Sequence, residues 1–301
     1  MPAGAPLALV ASRVRYEEKR LLEAAERRRV PCLQVDPRTV WMELTVAGGP
    51  GGSGGPPGWS PGGSAWGVAL NREIAHTRGL YLARLLEAKG VPTVNPAAVA
   101  EVCGDKLLTS LALERAGLPT PRTAVALTSA AALEAAEVLG YPVVTKPLVG
   151  SWGRLAAVLR DREAAEAVLE HRDALPSPQQ HVVYLQELVD KPGRDIRAVV
   201  VGDRVLGACY RRADGWRTNG ARGASFTPCP PDPGLDRLAA AAAAAVGGGV
   251  LGVDLLEDRD GALCVLEVNH TVEFRGFQEA VGDRVDVAAA IVGHALAGAG
   301  R

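Results

Sequence analysis

The stretch Val250-Leu251-Gly252-Val253-Asp254-Leu255-Leu256-Glu257, followed after the turn Asp258-Arg259-Asp260-Gly261 by Leu263-Cys264-Val265-Leu266-Glu267-Val268-Asn269, decides how the chain is read. Both halves are apolar runs of strand length bounded by turn residues. Residues two apart on a strand share a face, so Glu267 and Asn269 project together, and a hairpin lets Asp254 join them. Two carboxylates and an amide oxygen make a hard-oxygen set suited to Mg²⁺ beside phosphates. An amphipathic hairpin with these residues turned to solvent accounts for the pattern about equally well, so its meaning depends on the residues upstream.

Those residues supply the opposite charge. Lys146 closes the apolar strand Val143–Lys146 and precedes Pro147, and Gly150-Ser151-Trp152-Gly153-Arg154 follows. Lys106 opens a helical pattern, Asp105–Ala116, that stops at Gly117 with Pro119 beyond. A strand-end cation beside a glycine turn with free backbone N–H groups suits phosphate oxygens. Each lysine alone reads as a solvated surface residue; the order of lysines, glycine loop and downstream Asp/Glu/Asn set does not. Arg194, Arg197, Arg211, Arg212, Arg217 and Arg222 gather where the strand patterns break. Arginine binds carboxylates with two parallel hydrogen bonds, which points to a substrate bearing several carboxylates. Ordinary surface ion pairing is the plain alternative, and it is favoured for Arg217.

Outward from these sites the chain reads as successive α+β units. At the start, the strand Leu7–Ala11, the amphipathic helix Glu17–Arg29 and the strand Cys32–Val35 form a βαβ signature. Residues 48–64 are Gly, Pro or Ser except Trp59, a composition that cannot bury a core and reads as an insertion within the first domain. A helix over Arg78–Lys89 and a short strand over Val91–Asn95 follow. The second unit has a helix over Ala130–Leu139, strands over Val143–Lys146 and Leu155–Leu159, and a helix over Arg162–Leu169. In the third, strands over Val182–Glu187, Arg197–Val201 and Arg204–Arg211 precede an Ala-rich helix over Leu235–Val246, the opening hairpin and a terminal helix over Val285–Leu296.

Composition narrows the classes. With 33 Lys+Arg against 34 Asp+Glu in 301 residues, the chain lacks the basic excess of a general nucleic-acid or anionic-membrane binder. Five widely spaced cysteines without a Cys-x-x-Cys pair suit a reducing compartment, and no signal peptide or membrane span is visible, so a cytoplasmic protein is expected. Gly247-x-Gly249-x-x-Gly252 precedes a strand instead of following one, which removes the dinucleotide reading. Gly51–Gly55 mimics a nucleophile elbow inside the low-complexity tract. Asn269-His270-Thr271 matches a glycosylation acceptor that has no role in the cytoplasm, and the chain has no Gly-Lys pair for a Walker A loop.

Taken together, Cys103-Gly104-Asp105-Lys106, Lys146-Pro147, Gly150–Arg154, Gln186-Glu187, Lys191-Pro192-Gly193-Arg194-Asp195-Ile196-Arg197, Thr218-Asn219 with Ala221-Arg222-Gly223, Gly252–Leu255 and Glu267-Val268-Asn269-His270-Thr271-Val272-Glu273-Phe274 resemble the ATP-grasp ligases. Within them the chain is most similar to the lysine-biosynthesis (LysX) and ribosomal-protein glutamate (RimK) ligases, from about Leu7 to the C-terminus. The resemblance implies an α/β and α+β architecture. An N-terminal pre-ATP-grasp βαβ domain over 1–95 would carry the 48–64 insertion. A central ATP-grasp subdomain over 96–180 and a C-terminal one over 181–301, with the metal and substrate site, would enclose ATP.

On the same resemblance, Lys106 and Lys146 contact phosphates and the loop of Gly150, Ser151, Trp152, Gly153 and Arg154 closes over them. Gln186, Glu187, Leu188 and Val189 form the adenine hinge, with Asp190 toward the ribose and Asp195 nearby. Asp254, Glu267 and Asn269 hold Mg²⁺, two ions being expected, with Mn²⁺ as a substitute. Arg197 and Arg222 are the catalytic candidates. With Arg211, Asn219, Glu273, Gly276 and Phe277 they shape the substrate pocket.

The activity implied is ATP-dependent amide formation that releases ADP and phosphate. The C-terminal glutamate carboxylate of a small acidic amino-group carrier protein (LysW-like) becomes an acyl phosphate, and the α-amino group of glutamate or 2-aminoadipate displaces the phosphate. Phe277 fills space that a longer side chain needs, which favours glutamate. The alternatives are a RimK-like protein-tail glutamate ligase and a non-catalytic ATP-binding regulatory module; the intact Asp254/Glu267/Asn269 set argues against the latter. A homo-oligomer, dimer or tetramer, is expected, with no nucleic-acid or membrane partner.

Overall fold

The computed structural model describes residues 6–44, the backbone of 59–60, and residues 66–150, 153–213, 215–216, 218 and 223–298. The sequence-predicted site residues Ser151, Trp152, Asn219 and Arg222, with Arg217 and most of the 48–64 insertion, lie outside the described residues. The chain divides into two compact units, Met1–Ala100 with Asp286–Arg301, and Glu101–Val285.

The first unit is built on parallel strands. β1 (Leu7–Val10), α1 (Tyr16–Arg27), β2 (Cys32–Val35), the short ribbon β3 (Trp41–Met42) and β4 (Trp59–Ser60), β5 (Val68–Asn71), α2 (His76–Ala88), β6 (Thr93–Val94) and the start of α3 (Ala97–Gly104) succeed one another. The sheet order is β2-β1-β5-β6, parallel throughout. All four residues of β1 are buried, as expected of a parallel strand covered on both faces. The ribbon pairs Trp41–Met42 before the insertion with Trp59–Ser60 inside it, and the chain resumes in β5 beside β1, so the insertion interrupts this sheet without ending it. β5 was not foreseen in the sequence: Val68-Ala69-Leu70 is too short to show a period.

The second unit holds two antiparallel sheets. α4 (Lys106–Arg115), β7 (Thr123–Ala126), α5 (Ser129–Leu139), β8 (Val143–Lys146), β9 (Ala157–Leu159), α6 (Arg162–Asp173) and β10 (Val183–Glu187) form the first part, with strand order β7-β10-β8-β9. The caps are local. The side chains of Asp105, Thr128 and Asp161 accept backbone N–H groups of the first turns of α4, α5 and α6. β9 starts later than the Leu155–Leu159 run predicts, because Leu155 has φ 57°, which no strand tolerates. Ala132 and Ala136 of α5 and Ala165 and Leu169 of α6 pack on Val143, Leu159, Val183 and Leu185, leaving the other sheet face for the site.

β11 (Arg194–Val201), β12 (Arg204–Arg212), β13 (Ser225–Pro228), α7 (Pro233–Ala245), β14 (Val250–Glu257), β15 (Leu263–Asn269) and α8 (Arg275–Val281) complete the unit, in sheet order β13-β12-β11-β14-β15. The opening hairpin of the sequence is thus β14–β15. α9 (Val287–Gly298) belongs to the first unit, although the sequence reading placed it with the C-terminal subdomain. It packs on α1, where Arg27 Nη2 meets Asp286 at 2.6 Å and the Arg28 guanidinium donates to the Ala289 carbonyl at 3.2 Å. Among the described residues no helix is long and apolar enough to cross a membrane.

Candidate active site

Directly opposed residues of antiparallel strands share a face, and the ladder of the five-stranded sheet lines up Cys209, Arg197, Asp254 and Glu267 across β12, β11, β14 and β15. The next row on that face is Gly207, Val199, Gly252 and Asn269. The hairpin therefore does bring Asp254, Glu267 and Asn269 together. The Asn269 amide lies 3.3 Å from Asp254 Oδ2 and 3.4 Å from Glu267 Oε1. The register slips by one residue at Leu266, a bulge of the kind that re-aims side chains beside active sites.

Asp254 is gripped by two arginines. Arg197 donates Nε to Oδ1 at 2.5 Å and Nη2 to Oδ2 at 3.0 Å, and Arg211 Nη2 lies 3.1 Å from Oδ1. Arg211 also takes Asp195 bidentately at 2.6 and 2.9 Å, and the Thr218 hydroxyl donates to Asp195. Arg197 and Arg211, expected to read substrate carboxylates, are thus engaged with the protein's own. The guanidinium of Arg197 has room to lie there because Gly252 carries no side chain: a Cβ at Gly252 would stand 2.5 Å from Nη1. Arg194 belongs to the opposite face, where it bonds Glu257 at 2.6 Å and stacks 4.1 Å over the Tyr210 ring.

Facing this row are two lysines, Lys146 at the end of β8 and Lys106 at the start of α4. Lys106, Lys146, Gly150, Gly153, Gln186, Glu187, Leu188 and Val189 line one cleft together with Asp195, Arg211, Asp254 and Glu267. Lys106 Nζ donates to the Gly150 carbonyl at 2.9 Å, and Lys146 Nζ donates to Gln186 Oε1 at 2.6 Å. Burial lowers the Lys146 ammonium to about 8, against the pull of Glu267. Burial also raises the Glu267 carboxyl, but Lys106 and Lys146 outweigh it and hold the group down at about 2. Asp254 goes the other way. Burial lifts its carboxyl, against Arg197 and Arg211, and the neighbouring Glu267 charge adds to the rise.

Several expected site residues stand elsewhere. Asp190 is exposed and paired with Arg259, outside the cleft lining. Glu273 is exposed before α8. Phe277 is 1% exposed, with its ring against Gly207, so it is a buried support of β12 and does not line the cleft. Gly276 faces the ring of Phe226, which a Cβ would meet at 2.6 Å. Lys191, Trp216 and Thr218, not among the site residues expected from the sequence, line the cleft, as does Arg154 of the expected glycine loop. Lys191 Nζ reaches the Thr218 hydroxyl at 2.8 Å. The signal was available for Lys191, four residues before Asp195 in a stretch rich in Gly and Arg.

Among the described residues no three His, Cys, Asp or Glu converge as a metal site. The Asp254 set offers two carboxylates and an amide, all hard donors, on adjacent rows of one face, which fits a divalent oxygen-seeking cation. An ion there would take up Asp254 lone pairs that now accept from arginine.

Comparison with known proteins agrees with this geometry. Residues 103–294 match the RimK-like ATP-grasp domain and residues 59–102 the LysX preATP-grasp domain. The glutamate–LysW ligase ArgX of Sulfolobus acidocaldarius is 34% identical over 291 residues, 96% of this chain and 97% of that one. The alpha-aminoadipate–LysW ligase LysX of Saccharolobus solfataricus is 37% identical over 207 residues, 68% of this chain and 75% of that one. The crystal structure of a RimK domain ATP-grasp protein from Sphaerobacter thermophilus superposes with a TM-score of 0.77 at 31% identity, covering 97% of this chain and all of that one.

Proposed function

The chain belongs to the RimK-like ATP-grasp ligases, and from that premise we propose that it joins the α-amino group of glutamate to the C-terminal glutamate side-chain carboxylate of a small acidic, LysW-like carrier protein. The observation that carries the reading is the single cleft in which Lys106 and Lys146 face Asp254 and Glu267. The similarity to glutamate–LysW and alpha-aminoadipate–LysW ligases supports the acceptor and an acidic amino acid. Phe277, buried against Gly207 and outside the cleft lining, bears on the choice of amino acid only through the position of β12.

ATP lies as substrate between the two sheets. The carrier carboxylate oxygen attacks the γ-phosphorus, the bond to the β-phosphate oxygen breaks and ADP leaves. The amine then attacks the acyl carbon, and phosphate leaves with the C–O electron pair as the nitrogen loses a proton. Lys106 and Lys146 neutralise the phosphoryl oxygens as charge shifts toward ADP. Mg²⁺ held by Asp254, Glu267 and Asn269 would add charge neutralisation at the same oxygens. Arg197 and Arg211 orient Asp254. Gly150 and Gly153, which line the cleft, help exclude water from the acyl phosphate. No enzymic nucleophile is required.

Intact-protein mass spectrometry of a carrier ending in glutamate, incubated with enzyme, Mg²⁺, ATP and either glutamate or 2-aminoadipate, tests this. One added glutamate is the expected product. Addition of 2-aminoadipate alone overturns the choice of amino acid, a ladder of glutamates makes the chain a tail ligase, and no addition with either acid removes the carrier.

A further inference from the structure

We propose that Ser110, Tyr184 and Gln186 form an internal hydrogen-bonded strut that fixes the separation of Lys106 and Lys146 and so presents both ammonium groups to the polyphosphate of the nucleotide. The proposal rests on the ATP reading of the cleft and adds to it a positioning role for two residues outside the cleft lining.

The strut begins one helical turn from Lys106. Lys106 and Ser110 are spaced i,i+4 on α4 and share a face. Ser110 Oγ lies 2.9 Å from the Tyr184 hydroxyl. On β10, Tyr184 and Gln186 are two apart and project together, and the Gln186 amide nitrogen donates to the Tyr184 hydroxyl at 3.2 Å and to Thr123 Oγ1 at 3.0 Å. Gln186 Oε1 receives Lys146 Nζ at 2.6 Å. Tyr184 and Gln186 are each 2% exposed, so no water competes for these groups.

Donor and acceptor counting fixes the orientation of the Gln186 amide. Thr123 donates its hydroxyl hydrogen to the Pro121 carbonyl at 2.8 Å, so toward Gln186 it can only accept. The Tyr184 hydroxyl accepts from Gln186 and shares with Ser110 a hydrogen bond in which either hydroxyl can donate. Both amide hydrogens of Gln186 are thereby committed to hydroxyls, and its oxygen must face the ammonium. An amide turned over would put N–H against N–H at Lys146. The far side closes the circuit: the Lys106 backbone N–H donates to the Leu148 carbonyl at 3.0 Å and Lys106 Nζ to Gly150, in the segment that follows Lys146. Each lysine is thus tied both through the strut and through the loop. Tyr184 does not line the cleft, so its effect on a nucleotide passes through Gln186 and Lys146.

Isothermal titration of the full chain with AMP-PNP plus Mg²⁺, and separately with adenosine, tests the strut, because adenosine shares the base and ribose but lacks phosphates. Tyr184→Phe should weaken AMP-PNP about fivefold to tenfold and adenosine by clearly less, because Gln186 also borders the adenine hinge. Equal loss for both ligands, or loss for neither, overturns the strut. Ser110→Ala breaks the same chain at its surface end and should reproduce the split if Tyr184→Phe does not fold; an unsplit response there overturns the strut equally. Wild-type protein that binds neither ligand overturns the ATP reading itself, a result distinct from wild-type binding that Tyr184→Phe leaves intact.

Discussion

Arg197 on β11 and Asp254 on β14 stand directly opposite each other in the ladder, and the guanidinium takes one carboxylate oxygen with each arm. The Asp254 side chain is 1% exposed, so its charge depends on this partner. Arg197→Met should lower unfolding free energy by about 1–3 kcal/mol, less than loss of a sole partner because Arg211 remains at 3.1 Å. Urea denaturation at pH 7 measures it. The double variant with Asp254→Asn should recover part of the loss, and no recovery would mean that the pair does not couple.

Gly252→Ala separates geometry from stability. The added methyl meets the far end of a flexible side chain, Arg197 Nη1, and no backbone. The fold should therefore hold, with the melting temperature moved by no more than about 2–4 °C. Displacing the guanidinium from Asp254 should cut ligation at least about tenfold. Wild-type turnover in this variant would show that the fork on Asp254 is dispensable.

Lys146 gives the pH dependence. Its ammonium is held at about 8 by burial, against an ordinary 10.5. The unfolded chain binds the proton more tightly, so folding stability rises with pH across that window and the cost of the buried charge is fully present below it. Phosphate binding runs oppositely: kcat/KM for ATP should fall above about pH 8 as the ammonium deprotonates. Lys146→Arg stays charged and should flatten that limb whatever its absolute rate.

Phe277→Ala removes a ring that is 1% exposed and should cost about 3–5 kcal/mol in thermal or chemical unfolding. In the folded fraction the use of 2-aminoadipate relative to glutamate should rise, by relaxation of β12 at Gly207. An unchanged ratio in competition assays would detach Phe277 from substrate choice.

The hairpin and its carboxylates are legible because strand alternation and turn chemistry are local, but the register that puts Asp254 opposite Glu267 comes from the bulge at Leu266, since an unbroken ladder would set Asp254 against Leu266. The elements missed were those whose identity comes from neighbours. β7, Thr123-Ala124-Val125-Ala126, is rich in a poor strand former and exists because β10 pairs with it. β13 is held by β12 and α8. In the site, residue types were readable and partners were not. The arginine cluster of β11 and β12 splits between the two sheet faces by alternation, but which carboxylate each guanidinium takes depends on strand order, which one sequence does not state.

The return of α9 to the first unit has a consequence for synthesis. The second unit is continuous in the chain, and both of its sheets are complete before α9 is translated. The parallel sheet of the first unit, although made earlier, waits for a helix encoded on the far side of the second. On the ribosome the earlier-made unit is therefore the later to finish, and until then the α1 face that receives α9 stays uncovered.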